Sequence, residues 1–443
     1  SKSHRSKLIS DLEEDDPDLY DNWKIAKKRA SQTSKFISES NRYPLSGVGD
    51  INTYPIFTEL SGFSLINDCG RFGMVVKTGI ATDYYTQDLF AKFIEENRLV
   101  SLYDFVNREK IFPDVAAPER FCLLTLSGTE WTTEEFEFSF YNHSVDSLRE
   151  ENKYALTRED ILKINPNTKN CPIFETEDDK ELTLDLYSGN NVLINEEEET
   201  NPWGITYHTI YHMANDADEY FAENTLESLR ERGYDLKQTG IFQKNSHQYL
   251  PLWEAKFFHQ FDHRFGSFEG VPRENRFTRR ASTKRVSEEQ KNSPNYEITP
   301  RYWVDEDDAE ERMEEIDWDQ DWIFALRNVA RVGTDSRTAM ATINPAFPHG
   351  HSAPVMTFEG ENIAERAIVF TSIFTSFTFD FALRQSISGA NLTLYILKQL
   401  PAPTPQQVQS ATVSGESIEK SAWEFLCDRG LRLLWTSHAL DSL

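Results

Sequence analysis

The sequence predicts an α/β fold in its first part and an α+β fold in its second. Three observations carry this. Short apolar runs at 72–76, 99–105 and 121–126 alternate with a helix-like stretch at 88–97, the order of the edge of an α/β sheet. From about 240 to 405 the pattern turns β-rich, irregular and aromatic. The hydrophobic fraction of 39% and aromatic fraction of 13% are enough to bury a core, which excludes a mostly disordered chain despite the net charge of −27. A length of 443 residues corresponds to about two to four domains.

Each element follows in order. Residues 1–44 read as a helical lead-in, because Trp23, Ile25, Ala26, Ala30 and Phe36 recur at roughly helical spacing. A turn-rich loop at 43–50 leads to a helix at 53–65, with Pro55 in its first turn. The α/β domain spans 45–140. A connector at 141–245 contains a helix at 215–232, with Asn215 or Asp216 as N-cap and Gly233 just past its end. The second domain spans 246–405 and holds one buried apolar helix at 368–383. Residues 401–417, opening Pro401-Ala402-Pro403-Thr404-Pro405, read as a linker. Residues 406–443 are thus linker and a terminal helix at 417–428.

The acidity is concentrated. Residues 11–18 carry six acids, 196–199 four, and 305–321 eleven against Arg312 alone. Residues 273–285 are the opposite, with six bases against Glu274. A global charge of this sign argues against a sequence-blind polyanion binder. It does not forbid a local basic groove, because phosphates feel charge mainly within a Debye length of ~8–10 Å. Solvated loops are the plain alternative for every such run. Cys69, Cys122, Cys171 and Cys427 are far apart in sequence, without zinc-type spacing, so a reducing cytoplasm is expected. No apolar run reaches membrane-spanning length, and no secretory h-region opens the sequence.

The order of motifs is more specific. Gly49-Asp50-Ile51-Asn52-Thr53-Tyr54 leads a helix with Phe57 and Glu59. Gly70-Arg71-Phe72-Gly73-Met74-Val75-Val76 follows, then Leu102-Tyr103-Asp104-Phe105 with Asn107 and Phe112. Downstream come Ile164-Asn165-Pro166-Asn167-Thr168, Tyr249-Leu250-Pro251-Leu252-Trp253-Glu254, and His259-Gln260-Phe261-Asp262-His263-Arg264. Arg327, Arg337-Thr338, Ile343-Asn344-Pro345, Phe379-Asp380, Arg384-Gln385 and Gly389-Ala390-Asn391-Leu392 close the series. In this order, over most of 40–405, the chain resembles adenine-N6 DNA methyltransferases of type IIG-like restriction–modification and phage-defence systems. The resemblance implies the last strands of a class I methyltransferase sheet, then a target-recognition domain that grips duplex DNA while a base is flipped. In the parent family S-adenosyl-L-methionine supplies the methyl group.

Two family motifs have no counterpart. There is no Asp/Phe-x-Gly-x-Gly loop, and Gly47-x-Gly49 has the wrong neighbours. Asn165-Pro166-Asn167, Asn201-Pro202-Trp203 and Asn344-Pro345-Ala346 all lack the second Pro of Asn-Pro-Pro-Tyr, and Lys77 stands where the family has Pro. The expectation is a chain with no catalytic and no cofactor-binding residue of its own, inactive alone. Its partners would be duplex DNA and either the missing N-terminal methyltransferase half or a helicase- or nuclease-type defence subunit. The start at Ser1 without Met fits a recognition half. The alternatives are a catalytically inert methyltransferase-like scaffold or DNA-sensing subunit, and a partner-binding protein that avoids DNA.

Base readout needs Arg, Lys, Asn and Gln in a groove, with phosphate contacts setting register. The phosphate candidates are Arg273, Arg276, Arg279, Arg280, Lys284 and Arg285. Arg337, Gln385 and Asn391 are candidates for phosphates or base edges. His208/His212 and His259/His263 have the i,i+4 spacing of helical metal ligands but no third ligand, so packed histidines and no metal are expected. Phe370, Phe374, Phe377, Phe379 and Phe381 form either a core helix or a base-stacking surface. Asp104 is expected to make a structural hydrogen bond, while Asp262 is an unassigned acid. Pro17-Asp18 lacks a following Glu-x-Lys, which argues against a nuclease.

Overall fold

A computed structural model describes residues 2–278, 281–329, 335–387, 391–415 and 418–443. The chain forms two compact units, Ser1–Lys180 and Glu181–Leu443. The sequence instead divides at 140/141 and 245/246.

In the first unit the lead-in is two helices, Lys2–Asp15 and Pro17–Glu39. Asp16 separates them, because its carboxylate accepts from Leu19 N and Pro17 occupies the first turn. The second helix buries no residue; Leu19, Ile25 and Phe36 all face outward. The helix Thr53–Glu59 runs on as a π-helical turn, Leu60–Leu65.

The three apolar runs form β1 (Arg71–Lys77), β2 (Leu99–Val106) and β3 (Arg120–Ser127). Two further strands, β4 (Glu135–Asn142), which crosses the expected boundary at 140, and β5 (Tyr154–Thr157), from the expected connector, complete the order β1-β3-β2-β4-β5. This extends the unit past residue 140. Only β2 and β4 pair in parallel. The helix Gln87–Glu95 buries Leu89, Phe90, Ala91, Phe93 and Ile94. Within the sheet, wholly buried Asp104 accepts from Thr78 Oγ1 at 2.5 Å, Arg120 Nε at 3.1 Å and Nη2 at 2.7 Å, and Tyr141 N at 3.0 Å.

The second unit centres on an antiparallel sheet in the order Ala341–Pro345, Trp322–Leu326, Val355–Phe358, Ile205–His208. The first three strands are buried at every residue, and Trp322–Leu326 among them is a continuous apolar run covered on both faces. Phe370 and Phe374, on the helix Ile363–Phe374, pack on Phe324 at 5.4 and 5.6 Å. The helix Ala422–Leu434 lies against that helix through Gly430, where a Cβ would meet Ile368 Cγ2 at 2.7 Å.

Four expected segments differ. The helix at 215–232 is a π-turn, Ala217–Phe221, and a short helix, Leu226–Glu231. Extended Thr225 breaks it, forming a capping box with Ser228, while Gly233 does sit beyond the end at φ +82°. The helix at 368–383 is two, Ile363–Phe374 and Phe377–Ser386, bent by 66°. Ser376 takes an extended conformation and caps the second by accepting from Phe379 N. The linker at 401–417 contains a strand, Pro401–Ala402, paired with Asn191–Val192, and a helix, Pro405–Ser410. The terminal helix begins at Ala422 rather than 417, because Ile418–Ser421 pairs with Thr412–Gly415 and Ser421 is the cap. Among the described residues no single helix is long and apolar enough to cross a membrane.

Candidate functional site

The site begins where the chain reverses at 259–262. His259 N donates to Asp262 O at 2.8 Å, Asp262 N donates back at 3.1 Å, and Phe261 takes φ +56°. Phe265 follows and leads into the strand Gly266–Ser267, which pairs with Lys284–Arg285 so that Gly266 lies opposite Arg285. That register sets the Arg285 guanidinium over the Phe265 ring at 4.7 Å. The His259 ring stacks on Phe265 at 4.7 Å. Arg327 emerges from the end of the central strand Trp322–Leu326. Its guanidinium lies 5.6 Å from the Phe265 centroid, and its Nε donates to Phe258 O at 3.0 Å.

The electrostatics are those of a cationic surface. Burial pushes the His259 pKa down, the positive charges of Arg327, Arg285 and Arg337 push it further, and Asp262 opposes them. Burial also lowers the Arg327 pKa to about 10, with Asp335 opposing. Of the neighbouring acids, Asp335 acts on Arg327, while Asp262 and Asp380 have further partners of their own. Asp262 pairs with Lys291 and accepts from Arg264 N. Asp380 accepts from Thr338 N, Ala339 N and Arg384 Nε. Arg285 is exposed, and the described residues place no carboxylate within ion-pair distance of it. Such a surface attracts an anion and fixes it poorly by itself, so it suits a phosphate of a longer ligand.

The remaining expected residues are scattered. Arg273 is exposed on the turn Arg273–Arg276. Arg276 turns inward, its side chain 11% exposed, to Glu227 at 3.0 Å and Val271 O at 2.7 Å. Arg279 and Arg280 lie outside the described residues. Lys284 donates to Gly270 O at 2.6 Å, on the face opposite Arg285 because strand side chains alternate. Among the described members of this run, Arg276 and Lys284 are tied to the protein's own groups, Arg273 is exposed, and Arg285 joins the cluster. Arg337 pairs with Asp380 at 3.4 Å and donates to Ser376 O at 3.0 Å and to Thr375 O. Gln385 is half-buried on the helix Phe377–Ser386, and Asn391 is exposed and bridged to Val329.

Sequence reading missed His259 and Phe265 as parts of this site, and saw Arg327 only within a motif. No local signal joins 259, 265, 285 and 327; the strand pairing does.

The other weighed groups are structural. His208 Nε2 meets Thr357 Oγ1 at 3.0 Å, and His212 stacks on His351 at 4.6 Å. Neither His pair is helical, and among the described residues no three His, Cys, Asp or Glu side chains could hold a metal. Buried His263 meets Ser437 Oγ at 3.0 Å, while Ser437 donates to buried Glu297 at 2.5 Å. That hydroxyl gives its proton to the carboxylate and is sealed from solvent, so the trio is a packing network and no nucleophile. Asp104 is the structural group expected. Phe370, Phe374 and Phe379 are core, Phe381 is half-buried, and Phe377 is exposed. Gly47 and Gly49 are both closely packed positions. A Cβ at Gly47 would meet Tyr43 O at 2.6 Å, and one at Gly49, φ +61°, would meet the Tyr85 ring at 2.2 Å. A cavity of about 640 Å³ elsewhere in the second unit is lined by Glu310, Glu314, Asp319 and Asp321 beside Trp318, a lining that repels phosphate.

No protein-family model matches the chain, and no curated protein matches it. Among solved structures it is similar to the type IIG restriction endonuclease BpuSI, with TM-score 0.30 and 14% identity over 92% of this chain and 47% of that one. It is also similar to the ATP-dependent Type ISP restriction-modification enzyme LlaBIII bound to DNA, with TM-score 0.37 and 8% identity over 82% of this chain and 27% of that one. Both similarities fall within restriction systems. The chain spans about half the length of the first and about a quarter of the second. Superpositions this loose establish no common fold.

Proposed function

We propose that this chain is the DNA-recognition portion of an adenine-N6 DNA methyltransferase in a restriction–modification or phage-defence system. It binds duplex DNA and supports base flipping, while the S-adenosyl-L-methionine loop and the Asn-Pro-Pro-Tyr segment lie on another polypeptide or outside this sequence. One observation carries the DNA-binding reading: Arg285 and Arg327, from separate segments, both lie at the Phe265 ring on which His259 stacks, and Arg285 is exposed with no acidic partner among the described residues. The ordered motif series supports the family. The three runs assigned to the end of the methyltransferase sheet are neighbours, β1-β3-β2, in one sheet.

Binding to a duplex across a salt series tests this. Affinity should fall linearly on a logarithmic plot, and Arg285→Ala should weaken it and reduce the slope by about 1. Salt-independent binding, or none, would refute the reading. The second reading is an inert scaffold or DNA-sensing subunit of a defence complex. It is favoured by the helix Pro17–Glu39, which buries nothing and exposes Ile25 and Phe36. Supplying a methyltransferase half in trans with labelled cofactor separates the two: labelled product supports the recognition half, and its absence supports the scaffold.

A further inference from the structure

Phe377 departs from the rest of its phenylalanine series. Phe370, Phe374 and Phe379 are each no more than 2% exposed, whereas Phe377 is 80% exposed. The cause is the break at Thr375–Ser376: the 66° bend keeps Phe374 and Phe379 inside and turns Phe377 outward at the start of its helix.

The ring nevertheless has a fixed position. The Arg337 guanidinium lies over it, 4.4 Å from the centroid. Arg337 cannot swing away easily, because it is tied to Asp380 and to the carbonyls of Thr375 and Ser376. Gln260, next to His259, donates to Ala339 O at 2.9 Å, two residues from Arg337, so the Arg337–Phe377 pair lies near the turn that carries His259. A single exposed phenylalanine is ordinary on a protein surface. One backed by an anchored guanidinium presents a fixed π-face of the kind on which a nucleobase stacks.

We propose that Phe377 stacks on a nucleobase that has left the duplex stack, with Arg337 as the residue that positions the ring. This deepens the duplex-binding reading and rests on it. Arg337 thus acts through Phe377 rather than on a phosphate or base edge.

The test uses the full chain and two fluorescent duplexes, one fully paired and one with a single central mismatch, where extruding a base costs least. The wild type should bind the mismatched duplex more tightly. Phe377→Ala should lose about 5- to 150-fold on it, the range for a lost base–aromatic stack. The salt slope should stay unchanged, because no phosphate contact is removed. Phe377→Trp should restore affinity. The exposed site should leave the thermal midpoint of each variant near that of the wild type. If Phe377→Ala binds both duplexes like the wild type while Arg285→Ala still weakens binding, stacking is refuted and the duplex-binding reading stands. If the wild type shows no salt-dependent binding to either duplex, the duplex-binding reading fails and the stacking proposal fails with it.

Discussion

At the scale of single residues, the same side chain serves opposite ends. Arg264 is 1% exposed and donates to the carbonyls of Lys291, Ser293, Tyr296 and Thr436, so it binds distant segments of irregular backbone together. Arg285 is exposed and lies over one ring. Nothing in their sequence neighbourhoods separates a clamp from a free cation; the difference is which carbonyls the irregular backbone leaves without partners. Arg120 is a third case. It makes a two-pronged contact with Asp104, whose side chain is wholly buried. Arg120→Ala leaves that carboxylate buried without a cation, held only by Thr78 Oγ1 and Tyr141 N, and should destabilise the first unit by about 3–5 kcal/mol in urea unfolding. Arg120→Lys should recover only part of this, because an ammonium lacks the planar fork. A loss below about 1 kcal/mol would mean that water or another cation reaches Asp104.

At the scale of elements, the sequence showed what local pattern decides. β1, β2, β3 and the helix Gln87–Glu95 fall within two residues of where apolar run length puts them. Helix breaks were hidden because Thr225 and Ser376 sit inside runs whose apolar spacing continues across them. There a side-chain cap outcompetes propagation. The segment at 401–417 misled through composition, since Pro, Gln and Ser read as linker. Its capping box, Thr404 with Gln407, and Pro405 in the first turn were the signal of the helix Pro405–Ser410. If Ser376 sets the bend, Ser376→Ala should cost about 1 kcal/mol and lower the thermal midpoint of the second unit. Thr378→Ala, exposed on the same helix, should stay within about 0.5 kcal/mol. Equal losses at both positions would show that the cap does not govern the break.

At the scale of the whole molecule, net charge is a poor guide to where function lies. The −27 is dominated by acidic runs, and within the conspicuous basic run Arg276 and Lys284 turn to backbone carbonyls. The cationic cluster depends on pairing between strands, which the sequence does not display. The titration of the fold is also uneven. In the second unit His208, His259, His349 and His351 all have pKa values pushed down, with burial as the main cause. His349 is the extreme case, lowered from 6.5 to about 4, its ring fixed by Phe347 O at 2.6 Å and Asn344 Nδ2 at 2.9 Å. A histidine whose pKa falls on folding binds its proton more readily in the unfolded chain. Its stability contribution is therefore complete above about 6.5 and is lost as pH drops toward about 4. For His349 alone the loss is on the order of 3 kcal/mol. Trp253, whose ring lies 5.9 Å from His349, offers a fluorescence probe of that region. The urea midpoint of the second unit should fall steadily across this window, and His349→Gln should flatten the fall even if it lowers stability at neutral pH. A fall equally steep in the variant would place the acid sensitivity in other groups.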